Sequence, residues 1–339
     1  MTPQQSTKSK NQSEAKPLTM AAALNRAMRD ALTENENVVI FGEDVGPLGG
    51  VFRITDGLNR DFGENRVWDS PLAESGIIGT AIGMAMYGLR PVVEMQFDAF
   101  SYPAFEQIVS HVAKAHNRTR GAVRLPMVIR IPTSGGIGGV EHHSDSSEAY
   151  WTHTPGLTVV TPSNPTDAYS MLLEAIRSDD PIIFLEPKSH YWTKEPEATE
   201  LEELPMNKAR VVREGDDVTL ISYGPTVALA LKTAELGAAE GLSIEVIDLR
   251  SLSPFDDETV GASVRKTHRA AVLHEAAQFG GYGAEVAARV TEREFYHLAS
   301  PILRITGADI PFPAPLLEKF YLPNPERILT ALNSWNWED

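Results

Sequence analysis

Short apolar runs alternate with helix-length amphipathic segments from Leu18 onward. Apolar runs of roughly four to eight residues are typical of buried strands, whereas apolar residues that recur every three or four positions are typical of helices. In the first half of the chain the pattern predicts strands at Val38–Phe41, Pro91–Met95, Met127–Ile131, Leu157–Thr161 and Ile182–Leu185. It predicts helices at Met20–Thr33, Ala73–Met86, Tyr102–Arg118 and Pro165–Ser178, and a short helix opened by Asp145 with Glu148 as its capping-box partner.

The alternation stops between Glu186 and Val211, where glutamates and prolines crowd together as in an exposed linker. Beyond this segment the pattern predicts strands at Val218–Tyr223, Ile244–Leu249, Ala270–Leu273 and Ile302–Thr306, and helices at Thr226–Ala239, Asp257–Thr267, Ala284–Glu294 and Glu326–Leu332. Strands that alternate with helices predict parallel sheets with helices on both faces.

We therefore predict an α/β protein with two parallel-sheet domains. The first spans residues 17–190, a linker spans 191–210, and the second domain spans 211–339. Residues 1–16 are polar and lack the apolar core of a signal peptide, so we expect a disordered tail there.

The helix predicted at Ala73–Met86 contains three glycines, Gly76, Gly79 and Gly83. A glycine inside a helix costs about 1 kcal/mol relative to alanine. A helix usually keeps such residues when another element packs very close to it, so the pattern predicts a close neighbour.

Composition excludes several classes of function. The net charge of −16 has the wrong sign for binding nucleic acid. The chain has no cysteine, which excludes disulfides, thiolate metal sites and cysteine nucleophiles, and fits a reducing bacterial cytoplasm. No apolar run reaches the roughly 18 to 20 residues of a membrane span, so we expect no membrane insertion.

Two other motifs are weak. The segment GGYG at 280–283 lies between a strand and a helix, but Val286 stands where a dinucleotide-binding loop needs glycine, so we expect a tight packing turn. His142, His143, Asp145 and His153 do not have the spacing of a familiar zinc site, and we predict no metal ligands in this chain.

Four stretches are candidates for chemistry: FGEDVG at 41–46, PLAESG at 71–76, MQFDAF at 95–100 and GGVEHHS at 138–144. Three of them follow a strand or loop at the carboxyl edge of the predicted sheet, where α/β folds bind ligands. Each has a plainer interpretation. Glu74 suits the first turn of a helix, Glu43 and Asp44 suit a loop, and paired histidines are often solvated.

Taken with further segments, these stretches resemble the β subunit of the decarboxylating first component of 2-oxo acid dehydrogenase complexes. The further segments are GLRPVVEMQF at 88–97, PAFEQI at 103–108, HHSDSSEAYW at 142–151, PGLTVVTPSNPTDA at 155–168, FLEPK at 184–188, VIDLRSLSPFDDET at 246–259 and HEAAQFGGYGAE at 274–285. The resemblance covers almost the whole chain after residue 17 and is nearest to the branched-chain type around Gln96–Gln107.

The resemblance implies a pyrimidine-binding domain followed by a transketolase C-terminal-like domain, in a tetramer of two α and two β chains. It implies that thiamine diphosphate binds between the subunits. Glu74 then matches the catalytic glutamate that hydrogen-bonds the pyrimidine ring nitrogen. We expect Glu74 to be buried against Leu72, Ile77 and Ile78, so that it can hold a proton near neutral pH.

The resemblance assigns roles to further residues. Leu72 and Gln96 line the pyrimidine pocket, and Phe100 stacks on the pyrimidine where branched-chain enzymes have tyrosine. His143 steadies the substrate and assists acyl transfer to the lipoyl group, with His142 as the second candidate.

Glu43 and Asp44 match an acidic pair near the subunit interface that is a candidate for a proton path between active sites. Enzymes that hold the diphosphate carry Gly-Asp-Gly and a later asparagine for magnesium, whereas Thr55-Asp56-Gly57 is the nearest segment here. We therefore expect the α subunit to hold Mg²⁺ and the diphosphate. Ser178 stands where some relatives have a potassium-binding aspartate, which leaves a potassium site open.

The acidic end of the chain, Glu338-Asp339, and the negative net charge suggest docking to a basic subunit-binding domain of the lipoyl acyltransferase core. Three alternatives stay open. In the first, the substrate is pyruvate or acetoin rather than a branched-chain 2-oxo acid. In the second, the chain is half of a split transketolase-like enzyme, and in the third it is a non-catalytic assembly subunit.

Overall fold

The computed structural model describes residues 17–196 and 204–334. The predicted tail at 1–16, the middle of the predicted linker at 197–203 and the acidic pair Glu338-Asp339 lie outside the described residues.

The strands are short and fall mostly where apolar runs predict them. They are β1 (Pro17–Thr19), β2 (Val38–Gly42), β3 (Val67–Asp69), β4 (Arg90–Glu94), β5 (Val128–Thr133), β6 (Thr158–Val160), β7 (Ile182–Pro187), β8 (Lys194–Pro196), β9 (Arg210–Arg213), β10 (Val218–Ser222), β11 (Ile244–Asp248), β12 (Ser251–Ser253), β13 (Ala270–Leu273) and β14 (Leu303–Ile305).

The α-helices connect these strands. They are α1 (Met20–Glu34), α2 (Leu58–Phe62), α3 (Glu74–Tyr87), α4 (Ala115–Arg118), α5 (Glu148–Thr152), α6 (Pro165–Arg177), α7 (Val227–Ala239), α8 (Asp257–Thr267), α9 (Tyr282–Glu294), α10 (Glu318–Tyr321) and α11 (Pro325–Asn333).

Two larger sheets confirm the predicted α/β class. The first has the order β12-β6-β7-β5-β4-β2-β3 and the second β14-β13-β10-β11-β9. Both are parallel except for one antiparallel edge strand, β12 in the first and β9 in the second. Strand β12 comes from the chain that follows β11, so the second half of the sequence contributes a strand to the first sheet.

The cores of the two sheets are continuous. One buried cluster combines Ile129 of the first sheet with Ile221 and Ile247 of the second, and includes the fully buried Trp151 between them. Burial of apolar surface therefore holds the two sheets together as well as each sheet to its helices.

One predicted helix is wrong. Residues 102–118 do not form a continuous α-helix, because a 3₁₀ turn at Asp98–Ala104 and a π-helical segment at Gln107–Val112 precede α4. Pro103 lies inside the first turn and has no N–H to donate, which interrupts regular α-helical hydrogen bonding.

The predicted capping role of Asp145 is also wrong. Helix α5 begins at Glu148, and the residue before it is Ser147 rather than Asp145. The Asp145 carboxylate instead accepts a hydrogen bond of 2.9 Å from the Tyr102 hydroxyl. Its side chain is therefore committed to a tertiary contact rather than to the helix terminus.

The glycine-rich turn before α9 is a packing turn, as expected. A Cβ atom on Gly283 would lie 2.6 Å from His274 Nε2, so only glycine lets α9 approach this side chain. Burial lowers the pKa of His274 to about 4, which keeps the imidazole neutral beneath the turn. Among the described residues no helix is both long and apolar enough to span a bilayer.

Candidate active site

Parallel strands bring the candidate residues to one edge of the first sheet. Strands β2, β4 and β5 are neighbours, and Glu43 follows β2, Gln96 follows β4, and the loop with His142 and His143 follows β5. Since the carboxyl ends of parallel strands meet at one edge, residues that are about 100 positions apart in the chain become neighbours.

Three of the predicted residues share one cavity. Glu74, Phe100 and His142 line a space of about 590 Å³, together with Tyr102, Asp145, Pro311 and Phe312. The last two residues come from the second half of the chain. The cavity therefore lies where the two domains meet.

His143 lies against the aromatic wall of this site. Its ring centroid is 4.3 Å from that of Phe97 and 5.3 Å from that of Phe100, both in edge-on geometry. The Nδ1 atom of His143 is buried and has no hydrogen-bond partner among the described residues. His142 differs, because its side chain is 64% exposed and its Nδ1 lies 3.6 Å from Glu141 Oε1.

The acidic residues of the site differ in burial: Glu43 is buried, Glu74 is half-buried and Asp44 is exposed. Glu43 is buried, and its Oε1 has no hydrogen-bond partner among the described residues. Burial raises the pKa of Glu43, and the nearby carboxylates of Glu74 and Asp44 raise it further. Asp44 accepts a hydrogen bond of 2.8 Å from Gln96 Nε2. Glu43 and Glu74 thus lie close enough for the charge of Glu74 to affect the pKa of Glu43.

The enclosure expected for Glu74 is only partly present. Ile77 and Ile78 are buried beneath α3, but Leu72 is 80% exposed and Glu74 itself is half-buried. Leu72 and Gln96 are not among the residues that line the cavity. The described chain therefore supplies one wall of the site, and the pocket-lining roles of Leu72 and Gln96 stay predictions.

A buried carboxylate that the sequence did not single out anchors the loop with the histidines. Asp98 is fully buried and accepts hydrogen bonds from the Thr133 hydroxyl and from the Ser147 hydroxyl and backbone N–H. Burial raises the pKa of Asp98 to about 6, although Lys188 and these hydrogen bonds oppose the rise. Thr133 and Ser147 are the two ends of the loop, so one side chain joins them.

A second buried acid connects the two domains. The Tyr223 hydroxyl donates a hydrogen bond of 2.8 Å to Glu148 Oε1, and both side chains are buried. Burial raises the pKa of Glu148 to about 7. The only sequence signal for this contact is a glutamate within the HHSDSSEAYW segment, and its partner is 75 residues away.

Buried ionic contacts also stiffen the sheet below the site. Arg130 of β5 lies between Glu94 of β4 and Glu186 of β7, with nitrogen–oxygen distances of 2.7 and 2.6 Å. All three are buried, and the Tyr191 hydroxyl donates to Glu186 at 2.7 Å. An arginine in the buried VIRIPT strand is the signal that sequence reasoning could have used, because a charge there requires partners.

The metal-related residues have other contacts. Within the described ranges no group of three or more His, Asp or Glu side chains has the geometry to hold a metal ion. The Ser178 carbonyl accepts a 2.7 Å hydrogen bond from Arg90, and its hydroxyl accepts one of 3.1 Å from the Asp180 N–H. Ser178 is thus part of the turn that fixes Arg90.

The fold and the edge-of-sheet site define a class of two-domain, transketolase-like proteins. The transketolase pyrimidine-binding domain matches residues 16–193, and the transketolase C-terminal domain matches residues 207–328. The solved structure of a split-gene transketolase, described as an inactive β4 tetramer, has a TM-score of 0.76 over 94% of this chain and 98% of its own. At 22% identity this likeness shows the fold alone.

Sequence relatives narrow the class to a family. The β subunit of the pyruvate dehydrogenase E1 component from Leifsonia xyli subsp. xyli is 53% identical over 316 residues, which are 93% of this chain and 94% of the relative. The β subunit of 3-methyl-2-oxobutanoate dehydrogenase from Mycobacterium tuberculosis is 52% identical, over 93% and 91% of the two chains. The chain belongs to the E1 β subunits of the thiamine-diphosphate-dependent 2-oxo acid dehydrogenases. Relatives named for pyruvate and for a branched-chain substrate match it almost equally.

Proposed function

We propose that this chain, together with an α subunit, oxidatively decarboxylates a 2-oxo acid and passes the acyl group to a lipoyl domain. The observation that carries the proposal is the cavity that joins Glu74, Phe100 and His142, with His143 packed on the same aromatic wall. A branched-chain 2-oxo acid is the first candidate substrate, and pyruvate or acetoin is the alternative.

The residues present fit the aminopyrimidine half of thiamine diphosphate. Phe100 offers a half-buried ring for stacking, and Glu74 offers a carboxyl group at the cavity wall. We infer that Glu74 hydrogen-bonds the pyrimidine ring nitrogen, with Gln96 and Leu72 beside it. When bound, thiamine diphosphate supplies the electron sink that decarboxylation of a 2-oxo acid requires.

Acidic and histidine side chains around the cavity are our candidates for proton transfer and substrate binding. Burial and the neighbouring carboxylates of Glu74 and Asp44 raise the pKa of Glu43, so the two acids Glu43 and Glu74 are electrostatically linked. The unpartnered Nδ1 of His143 is available to hydrogen-bond the substrate, and we assign His143 to substrate positioning and acyl transfer. His142, at the cavity wall, is the second candidate. Glu43 and Asp44 also remain our candidates for a proton path between active sites.

Helix α3 supports the need for an α subunit. Positions Gly79 and Gly83 have open space where a Cβ would point, and Met86 and Tyr87 are 61% and 89% exposed. A large apolar surface next to a catalytic residue is typical of a subunit interface. We propose that the α subunit packs on this face, completes the enclosure of Glu74, and holds Mg²⁺ and the diphosphate in an α₂β₂ tetramer.

Docking to the acyltransferase core is proposed from charge. The net charge of −16 suits a basic subunit-binding domain. Affinity for that domain should fall as salt concentration rises, because screening weakens attraction between exposed charges. An affinity unchanged by salt would remove the support that charge gives.

The central test uses this chain co-purified with its α subunit. The pair is assayed with 2-oxoisovalerate and with pyruvate, and the transfer of the acyl group to a lipoyl domain is measured. Since acid–base contributions are typically about 10² to 10⁴-fold, Glu74→Gln should lower kcat by at least about 100-fold. Glu64→Gln changes an exposed glutamate and serves as the control.

Each alternative gives a different result. Full turnover by the Glu74→Gln pair would favour a non-catalytic assembly role for this chain. Transfer of ketol groups between sugars without lipoyl acylation would favour a split transketolase. Faster turnover of pyruvate than of 2-oxoisovalerate would exchange the first and second candidate substrates.

A further inference from the structure

The loop that carries the two histidines is held by the other domain. We call residues 134–146 the histidine loop. Glu275, which follows β13, accepts hydrogen bonds from the Gly135 N–H at 2.6 Å and from the Ser146 hydroxyl at 3.2 Å. These donors lie near the two ends of the histidine loop, so one carboxylate of the second domain joins both ends.

A second carboxylate holds the middle of the same loop. Glu318, the first residue of α10, accepts hydrogen bonds from the backbone N–H of Gly136 at 2.5 Å and of Gly138 at 3.1 Å. Both glycines have positive φ, +88° and +67°, a conformation that other residues adopt at a cost. Their conformation turns two amide groups toward one side chain.

The histidine loop also packs tightly on the segment that contains Glu318. A Cβ on Gly135 would lie 2.6 Å from the ring of Phe312, which itself lines the cavity with His142. Phe312 and Tyr321 flank Glu318 in the chain, and their ring centroids are 4.9 Å apart. This contact fixes the segment on both sides of Glu318. The position of Glu318 and the position of the cavity wall are therefore linked.

Loss of the Glu318 carboxylate leaves the two amide donors without their partner. Glu275 is buried and has partners at both ends of the loop, whereas Glu318 is half-buried and bonds only to the middle of it. Removal of Glu318 should thus free the segment before His142 and His143 while the loop ends stay in place.

We propose that Glu318 is a positioning residue. From the second domain it holds the histidine loop of the first domain, and so it fixes where His142 and His143 meet the substrate. The inference rests on the proposed function, because it concerns the roles assigned there to His142 and His143. Glu318 touches neither histidine, and it acts through the backbone of Gly136 and Gly138.

The test compares Glu318→Ala, Glu318→Gln and, as a matched control, Glu326→Ala in the assembled enzyme. Glu326 is an exposed glutamate of the same region. Since a misplacement of about 1 Å can cost about 100-fold in rate, Glu318→Ala should lower kcat for lipoyl acylation by about 10- to 100-fold. Its pH–rate profile should also shift, and the amide oxygen of Glu318→Gln should restore part of the rate.

Hydrogen exchange supplies a readout that does not depend on turnover. Amides of the histidine loop should exchange faster in Glu318→Ala, while α1 and the sheet strands keep the wild-type rates. The melting temperature and the assembly with α serve as controls for folding.

The outcomes separate the two proposals. If the wild-type pair does not act on any 2-oxo acid, the proposed function fails, whatever the variants do. If the wild-type pair is active but Glu318→Ala matches Glu326→Ala in kcat, pH profile and loop exchange, the positioning role is overturned. A uniform loss of stability without loop-specific exchange or a changed pH profile would assign Glu318 to folding alone and would also overturn it.

Discussion

Helices α1 and α3 cover opposite faces of the first sheet, and only α1 is covered by its own chain. Eight of the fifteen residues of α1 are buried, and α1 packs on α6. In α3 four of fourteen residues are buried, namely Ile77, Ile78, Ala81 and Ala85, although α3 is the more hydrophobic helix. The difference shows that α3 carries apolar surface in excess of what this chain covers.

This excess has a physical meaning. A helix that is hydrophobic on all sides is expected to be buried on all sides, whereas an amphipathic helix needs cover on one face only. Since Glu74 begins α3, the uncovered helix face and the half-buried acid belong to one surface. We therefore expect a second chain to cover both.

The largest expected effect contrasts one apolar residue on each helix. Leu24 of α1 is fully buried, and Met86 of α3 is 61% exposed. Leu24→Ala should lower the free energy of unfolding of the purified chain by about 2–5 kcal/mol, because it leaves a cavity. Met86→Ala should change it by less than about 0.5 kcal/mol. Denaturant unfolding measures both, and equal losses would contradict the comparison.

A smaller effect is expected at the packed junction of the two domains. The raised pKa of Glu148, about 7 against 4.5, means that its contribution to stability is full below pH 4.5 and is lost as pH rises through about 7. Glu148→Gln keeps an acceptor for the Tyr223 hydroxyl but cannot ionise. The decrease in the free energy of unfolding as pH rises should therefore be smaller in this variant, by up to about 3 kcal/mol.

Unfolding measured from pH 4.5 to about 8 tests this contribution. Asp98 and Asp248 have raised pKa values of about 6 and about 7 for the same reason, so the pH dependence should weaken without vanishing. A wild-type pH dependence in Glu148→Gln would show that Glu148 does not titrate in this range.

The smallest expected effect tests whether the exposed face of α3 is the surface that binds α. Gly79 has open space around it, so Gly79→Leu should leave the chain as stable as before or more stable by up to about 1 kcal/mol. In the complex the added side chain should overpack the interface, which costs about 1–3 kcal/mol. Affinity for α, measured by titration, should fall by about 10- to 100-fold.

Ala22→Leu on the exposed face of α1 is the matched control and should not change association. Wild-type affinity in Gly79→Leu would mean that α packs elsewhere.

Much of the fold follows from local patterns. Helix α8 and strand β13 have the predicted bounds, because their periodicity is strong and the Asp256 side chain accepts a hydrogen bond from the Thr259 N–H as an N-terminal cap. The short strands β3, β9 and β12 were missed, since three or four residues are too few to establish a period. Strand β12 pairs with β6, about 90 positions earlier, and no local pattern encodes that contact.

The site was predictable in part for the same reason. The residues that face the cavity or its aromatic wall, such as Glu74 and His143, lie in segments whose order along the chain resembles a known family. The supporting residues Asp98 and Glu318 were not predictable, because they act through hydrogen bonds to residues far away in the chain. Only the folded structure brings those donors together.

The shared site is tested most directly by titration of magnesium thiamine diphosphate into this chain alone and into the chain with α. Calorimetry should detect saturable binding only for the pair, because we propose that this chain supplies the pyrimidine wall and that α supplies the diphosphate ligands. Tight binding of magnesium and the whole coenzyme by this chain alone, with turnover of a 2-oxo acid, would contradict the account.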